Sequence, residues 1–191
     1  DSIHPFLFNF LNHLDFSEHE SIFFTKEEIS NLNKIENEPY VAFQFRYNKE
    51  YGFDRNLTKK EFLKIIKELK SIFSDKDIMI VSDKSGCEIA KSWSKSNNLN
   101  LLFSKDFSEN FLSDISLLAK SEFYFQFKGG GMGLIASSIS DLNQVQSWIF
   151  YGRKEAPFKK NKVFYWLKNH QIVLSNKSLN FTLSKIRYFK K

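Results

Sequence analysis

Gly129-Gly130-Gly131-Met132-Gly133 packs four of the chain's seven glycines into five positions. Glycines have no Cβ, so backbone N–H groups there can close on an anion, and a helix starting just after the loop aims its positive end at the same point. That arrangement suits a phosphate or pyrophosphate. The spacing is neither the dinucleotide fingerprint, which follows a first strand, nor a P-loop, since no Gly-Lys-Ser/Thr follows. A tight strand-to-helix turn without a ligand is the competing reading. Ser137 and Ser138, in the first turns of the following helix, add hydroxyl donors to such a site or merely allow close helix-to-sheet packing.

Arg46 ends an apolar run, Tyr40-Val41-Ala42-Phe43-Gln44-Phe45, where a guanidinium left without an acceptor would be costly. It therefore calls for a carboxylate such as Asp54 or for an anionic ligand. Arg55, in the same loop, offers a second charge or is a solvated surface group. Asp54 and Glu50 are the carboxylates nearest that crevice and suit general-base work only if their environment raises a pKa. Ser82 and Asp83 close a second apolar run, where they can meet a ribose or base, with helix capping by Asp83 the alternative.

Metal chemistry finds no pattern. Asp75-Lys76-Asp77 has the letters of the acidic motif by which metal-dependent transferases hold a diphosphate, but it precedes its strand and so reads as a turn at the wrong edge. His13, Asp15, Glu18, His19 and Glu20 lack a ligand spacing. Basic and aromatic residues interleave in Lys159-Lys160-Asn161-Lys162-Val163-Phe164-Tyr165-Trp166 and in Arg187-Tyr188-Phe189-Lys190-Lys191. With 22 phenylalanines in the chain, aromatics this common are mostly core, and no specific nucleic acid is expected.

The elements that must position these residues follow from periodicity. Thr25-Lys26-Glu27-Glu28 is a capping box for a short helix ending before Pro39. Tyr40 to Arg46 reads as a strand covered on both faces. Thr58-Lys59-Lys60-Glu61 is a second capping box, opening a helix with Phe62, Ile65, Ile66, Leu69 and Phe73 at helical spacing. Asp77 to Asp83 is the next strand, and Ser85 with Glu88 caps a helix carrying Ile89, Ala90 and Trp93.

Leu99 to Phe103 is a shorter strand. Asp106 or Ser108 caps a helix with Phe111, Leu112, Ile115 and Leu118 inward, and Glu122 to Phe127 is a strand running into the glycine loop. Leu134 to Ile139 reads as a helix, Val145 to Phe150 as a strand, and residues beyond Gly152 as short strands or helices. Strands alternating with helices imply parallel pairing through right-handed crossovers. The expected fold is thus α/β, a Rossmann-like three-layer domain with a mostly parallel sheet, in which ligands gather beyond the carboxyl ends of the strands. The division is an N-terminal segment 1–38, a Rossmann-like domain 39–151 and a basic C-terminal segment 152–191 packing on or extending from it.

A length of 191 residues with 42% hydrophobic content suits one core. The +6 net charge is concentrated: from Gly152 to Lys191 eleven lysines and arginines face one acid, Glu155. That segment can meet an anionic membrane surface, a phosphorylated polymer or only solvent. No run approaches the ~20 apolar residues that span a bilayer, the first thirty residues do not resemble a signal peptide, and a single cysteine, Cys87, excludes an internal disulfide. We expect a cytoplasmic protein, with peripheral contact at the inner membrane surface as the extension. The opening Asp1-Ser2-Ile3-His4 lacks an initiator Met, so a processed chain or a piece of a longer one is expected.

In order along the chain, Phe43-Gln44-Phe45-Arg46, Gly52-Phe53-Asp54-Arg55-Asn56, the strand Ile78 to Asp83 and the Gly129 to Ser138 loop and helix resemble the donor-binding half of GT-B glycosyltransferases. The closest likeness is to the bacterial surface-polysaccharide and fucosyltransferase-like group. The resemblance covers about Tyr40 to Phe150. It implies metal-independent sugar transfer, without a cofactor, from a nucleotide-sugar donor to a glycan or other hydroxyl acceptor.

In that resemblance Arg46 binds the donor pyrophosphate with Arg55 and the glycine loop, Ser82, Asp83, Ser137 and Ser138 meet the nucleoside, and Arg46 and Asp54 carry the catalytic roles. Gln44 departs from the group's pattern, which commonly has histidine two residues before the arginine. A GT-B enzyme has two Rossmann-like domains, and this length supplies one. A non-catalytic sugar-nucleotide or protein-binding module and a basic nucleic-acid or membrane-surface binder are the alternatives.

Overall fold

The computed structural model describes residues 39–50, 56–107, 110–127, 136, 145–151, 170–175, 179, 183 and 184. Among the described residues six parallel strands form one sheet: β1 (Tyr40–Gln44), β2 (Asp77–Val81), β3 (Leu102–Phe103), β4 (Phe123–Phe127), β5 (Val145–Tyr151) and β6 (His170–Ser175). Their order is β3-β2-β1-β4-β5-β6, that of a doubly wound Rossmann-like sheet. Among the described residues the helices given in full are α1 (Lys59–Ile72), α2 (Lys84–Lys95) and α3 (Phe111–Lys120), with a 3-10 turn at Ser104–Asp106.

Alternation along the strands sorts their side chains into two layers. Val41, Phe43, Phe45, Ile78, Ile80, Phe123 and Phe125 join Phe62, Ile65, Ile66 and Leu69 of α1 and Cys87 and Ala90 of α2 in one core. Rings crowd it: Phe45 lies 5.1 Å from Phe62 and 5.8 Å from Trp93, and Phe73 lies 4.6 Å from Phe123, centroid to centroid. The opposite face carries Tyr40, Ala42, Gln44, Tyr124 and Gln126 and is covered by α3, whose Leu117 carbonyl accepts from the Tyr40 hydroxyl at 2.6 Å. Burial pushes both tyrosine hydroxyls, Tyr40 and Tyr124, far above their ordinary pKa. This is the three-layer fold expected from the sequence.

Local signals shape the helices. The Thr58–Glu61 box forms reciprocally, with the Glu61 N–H donating to Thr58 Oγ1 at 3.2 Å and the Thr58 N–H to Glu61 Oε2 at 2.7 Å. Three expectations are corrected. α2 is capped by Asp83, whose Oδ1 accepts from the Gly86 N–H at 2.7 Å, while the Ser85 hydroxyl turns back to the same carboxylate at 3.2 Å. α3 is capped by Asn110, accepting from the Leu112 N–H at 2.9 Å, because Asp106 is held in the 3-10 turn and pairs with Lys91. Phe111 is 49% exposed rather than inward, since it opens α3 at the sheet's carboxyl edge.

β3 is also shorter than expected. The Leu99 N–H donates to Ser94 O at 3.1 Å and the Asn98 N–H to Lys95 O at 3.3 Å, with Asn98 left-handed at φ 53°. That is a Schellman closure, and it draws Leu99 into the end of α2. At the other end of the chain, β6 pairs with β5 from Gln146↔His170 to Tyr151↔Ser175, so the sheet continues past residue 151. The helix expected from Thr25 and the ligand-like residues His13 to Glu20 lie outside the described residues. So do the aromatic-basic stretches 159–166 and 187–191.

Candidate functional site

The strand order reverses between β1 and β4, the first half running outward to β3 and the second to β6. At such a switch point the loops leaving the two central strands part to opposite faces and open a crevice at the carboxyl edge. β1 and β4 are in register, Gln44 opposite Gln126. Arg46 lies two residues past Gln44, and Lys128-Gly129 begins two residues past Gln126. The two loops singled out in the sequence therefore leave adjacent strands at the crevice. The meeting of these two strand ends depends on pairing β1 with β4 across the 78 residues from Phe45 to Glu122, which spacing alone does not reveal.

Arg46 is half-buried, and its Nη1 donates to Asn56 Oδ1 at 3.0 Å. The same oxygen accepts the Asn48 N–H at 3.0 Å, and Asn56 Nδ2 donates to Asn48 O at 2.6 Å. One carboxamide thus fixes the backbone just past Arg46. Leu57, 2% exposed, and the Thr58 cap anchor the returning chain. The Phe45 N–H still pairs with Val81 O at 3.0 Å, so the arginine starts from backbone held to β2.

Serine hydroxyls tie the neighbouring strand ends together. Ser82 is buried, and its Oγ donates to Phe45 O at 2.6 Å, across β2 to β1. Ser104 Oγ in turn donates to Ser82 O at 3.4 Å, joining β3 to β2. Gly86 permits the first tie: a Cβ there would lie 2.0 Å from Ser82 Oγ. Ser82 is thus engaged with the protein's own backbone, and Asp83, though exposed, caps α2. Under the crevice, the Tyr124 hydroxyl bonds the side-chain carboxamides of Gln44 and Gln126, so Gln44 belongs to a buried polar group on the α3 face.

A second buried polar group lies at the ends of β2 and β3. Asp114 of α3 is 2% exposed and pairs through Oδ2 with Lys105, while its Oδ1 meets no donor within hydrogen-bonding geometry among the described residues. Burial pushes the Asp114 carboxyl above its usual range, against the opposing pull of Lys105. Burial likewise raises the Cys87 thiol, which donates to Ser82 O at 3.7 Å. The sequence signal for Asp114 was an acid amid the apolar inward face of α3; for Asn56, Gly86 and Ser104 no pattern singled out their roles.

Arg46, Glu50, Ser82 and Asp83 are the crevice candidates from the sequence that the structure describes, and Glu50 is exposed, with its backbone N–H donating to Asn48 Oδ1 at 2.7 Å. Asp54, Arg55, Gly129, Gly130, Gly131, Met132, Gly133, Ser137 and Ser138 lie outside the described residues, although Ala136 between them is helical and buried. Asp75-Lys76 forms the turn before β2, at the amino edge, where Lys76 pairs with Glu122 at 2.7 Å. Among the described residues no cluster of three or more histidine, cysteine or acidic side chains is placed to hold a metal ion. No helix among them is long and apolar enough to cross a membrane.

No family model matches the chain, and no curated protein sequence matches it. Among solved structures it is similar to the E. coli heptosyltransferase WaaC with ADP-2-deoxy-2-fluoro heptose, with a TM-score of 0.58 and 12% identity. The match covers 90% of this chain and 49% of that one. The fold is glycosyltransferase-like. This chain spans about half the length of that enzyme, and the likeness is to a heptosyltransferase, so it supports the glycosyltransferase fold and not the fucosyltransferase-like group.

Proposed function

We propose that this domain holds the nucleotide-sugar donor of a GT-B-like glycosyltransferase, which passes the sugar to a glycan or other hydroxyl acceptor. The observation that carries the reading is the switch point: β1 and β4 are neighbours, and from their carboxyl ends follow the sequences with Arg46 and with Gly129 to Gly133. A guanidinium and a row of backbone N–H donors are the groups that stabilise charge gathering on a departing nucleoside diphosphate. The likeness to a heptosyltransferase solved with an ADP-linked sugar supports the same ligand class.

In this reading Arg46 carries the electrostatic role and Arg55 adds charge. Asp54, in the sequence between Arg46 and Asn56, is the candidate base for the acceptor hydroxyl. The nucleoside end falls to Asp83, beside the ends of β1 and β2, and to Ser137 and Ser138, while Ser82 acts through its tie to Phe45 O. The reading assigns the basic segment 152–191 to peripheral contact with anionic lipid.

The test is thermal unfolding against a panel of nucleotide sugars, followed by an assay for free nucleotide released in the presence of hydroxyl acceptors. A ligand at a hundred times its dissociation constant adds about 2.7 kcal/mol to the native state, a readily measured shift. Stabilisation with nucleotide release supports a transferase. Stabilisation without release assigns a binding module instead, and no stabilisation by any donor refutes the reading.

A further inference from the structure

Among the described residues the large apolar side chains left exposed are Phe107, at 47%, and Phe111, at 49%. A single exposed phenylalanine calls for no explanation. These two flank the short connection from the 3-10 turn after β3 to α3, at the carboxyl edge where the ligands of such sheets gather, and every other phenylalanine side chain that the structure describes is buried. Their backbone is braced on both sides. The Phe107 N–H donates to Ser104 O at 3.1 Å, closing the 3-10 turn, while Asp106 pairs with Lys91 of α2 and Lys105 with Asp114 of α3. Asn110 accepts from the Leu112 N–H at 2.9 Å and so fixes the turn that carries Phe111. The two rings stand out from backbone already held, and a ligand that meets them need not order it, which would otherwise cost affinity.

β3 is two strands from β1, and neighbouring strands lie about 4.8 Å apart, so the end of β3 is about 10 Å from that of β1. That matches the reach of a ribose and its base from a diphosphate held between the ends of β1 and β4. α3 lies against β1, β2 and the 3-10 turn, so both rings belong to this half of the edge. A nucleotide sugar has one flat part with weakly hydrated faces, its base, whereas its sugars and pyrophosphate are ringed by polar oxygens. Aromatic side chains stack on such a face whichever base presents it. Resting on the donor-site reading above, we propose that Phe107 and Phe111 form the surface on which the base of the donor stacks.

Calorimetric titration of the full chain with ADP, GDP, UDP and inorganic pyrophosphate tests this, because pyrophosphate carries the charge of the donor without its base. Phe107→Leu combined with Phe111→Leu keeps apolar bulk, removes both π-faces and should weaken the best nucleotide by about tenfold or more. The same variant should change pyrophosphate affinity by no more than about twofold, as distant surface substitutions do. Phe107→Tyr combined with Phe111→Tyr keeps both rings and should hold the nucleotide within about twofold of the unsubstituted chain. Equal losses for nucleotide and pyrophosphate, unchanged nucleotide affinity in the leucine variant, or an equal loss in the tyrosine variant would overturn the stacking surface while leaving the donor site standing. If the unsubstituted chain binds no nucleotide, the donor-site reading fails and the stacking surface falls with it.

Discussion

Substituting Gly86 by alanine tests whether the carboxyl edge is built as described. The new Cβ would sit 2.0 Å from Ser82 Oγ, 3.0 Å from Ser82 Cβ and 3.1 Å from Asp83 Oδ1. The hydroxyl cannot stay, so the 2.6 Å bond to Phe45 O is lost and a buried carbonyl is left without that donor, costing about 1–3 kcal/mol. Rotating the hydroxyl away still leaves the two Cβ atoms too close, and such overpacking costs about 1–3 kcal/mol more. Alanine's better helix propensity returns at most about 1 kcal/mol.

The net expectation for Gly86→Ala is a loss of about 1–5 kcal/mol by these figures, read as a lower denaturation midpoint with unchanged slope in urea. Ser82→Gly removes the atoms in the way, so the double variant should be more stable than the sum of the two single effects by about 1–3 kcal/mol. A Gly86→Ala protein within about 0.5 kcal/mol of the original, or strict additivity with Ser82→Gly, would refute the packing argument.

Three further outcomes are expected. Asp114 has its carboxyl pKa raised by burial, so the native state binds its proton more tightly than the unfolded chain does, and its contribution to stability falls as pH rises through that raised value. The stability of the unsubstituted protein minus that of Asp114→Asn should therefore increase as pH drops from neutral towards the ordinary carboxylate range; a difference that shrinks on acidification would contradict this sign. Thr58→Ala removes the acceptor for the Glu61 N–H and should cost about 1 kcal/mol in chemical denaturation, with Glu61→Ala showing less than additive loss because the two residues share one box. Phe62→Ala empties a fully buried position whose ring lies 5.1 Å from Phe45 and 5.5 Å from Trp93, and should cost about 3–5 kcal/mol; a loss under about 1 kcal/mol would mean the cluster is not the core.

The layered fold was legible because each central element carried a strong local signal. Tyr40 to Phe45 is apolar on both faces, and the Thr58–Glu61 box is followed by Phe62, Ile65, Ile66 and Leu69, all fully buried. The errors sit where two local signals compete. Ser85 and Glu88 spell a capping box, but Asp83 reaches the Gly86 N–H first and starts α2 earlier. Leu99 has a strand-like neighbourhood, but the left-handed Asn98 closes α2 over it. The strand at His170–Ser175 is joined to the sheet by pairing with β5, a long-range fact that short-range periodicity does not carry.

Of the site, Arg46 was legible as a charge at the end of a buried strand. Among the described residues it bonds to the neutral Asn56, which no pattern singled out, while Asp54, the carboxylate expected to face it, lies outside them. Ser82 looked like a ligand residue because it ends a strand, yet its hydroxyl serves the adjacent strand end. Side chains at a carboxyl edge can face the crevice or brace the strands beside it, and the choice depends on which strands are neighbours.

The proposed donor site requires the loops after β1 and β4 to hold one pyrophosphate together. Calorimetric titration with ADP, GDP and UDP of the unsubstituted chain, Arg46→Ala and Gly131→Val tests it most directly. At least one nucleotide should bind, and each substitution should weaken it tenfold or more, although the two positions follow different strands in the sequence. Binding that survives both substitutions unchanged would place the nucleotide elsewhere and contradict the claim, as would the absence of binding by all three nucleotides.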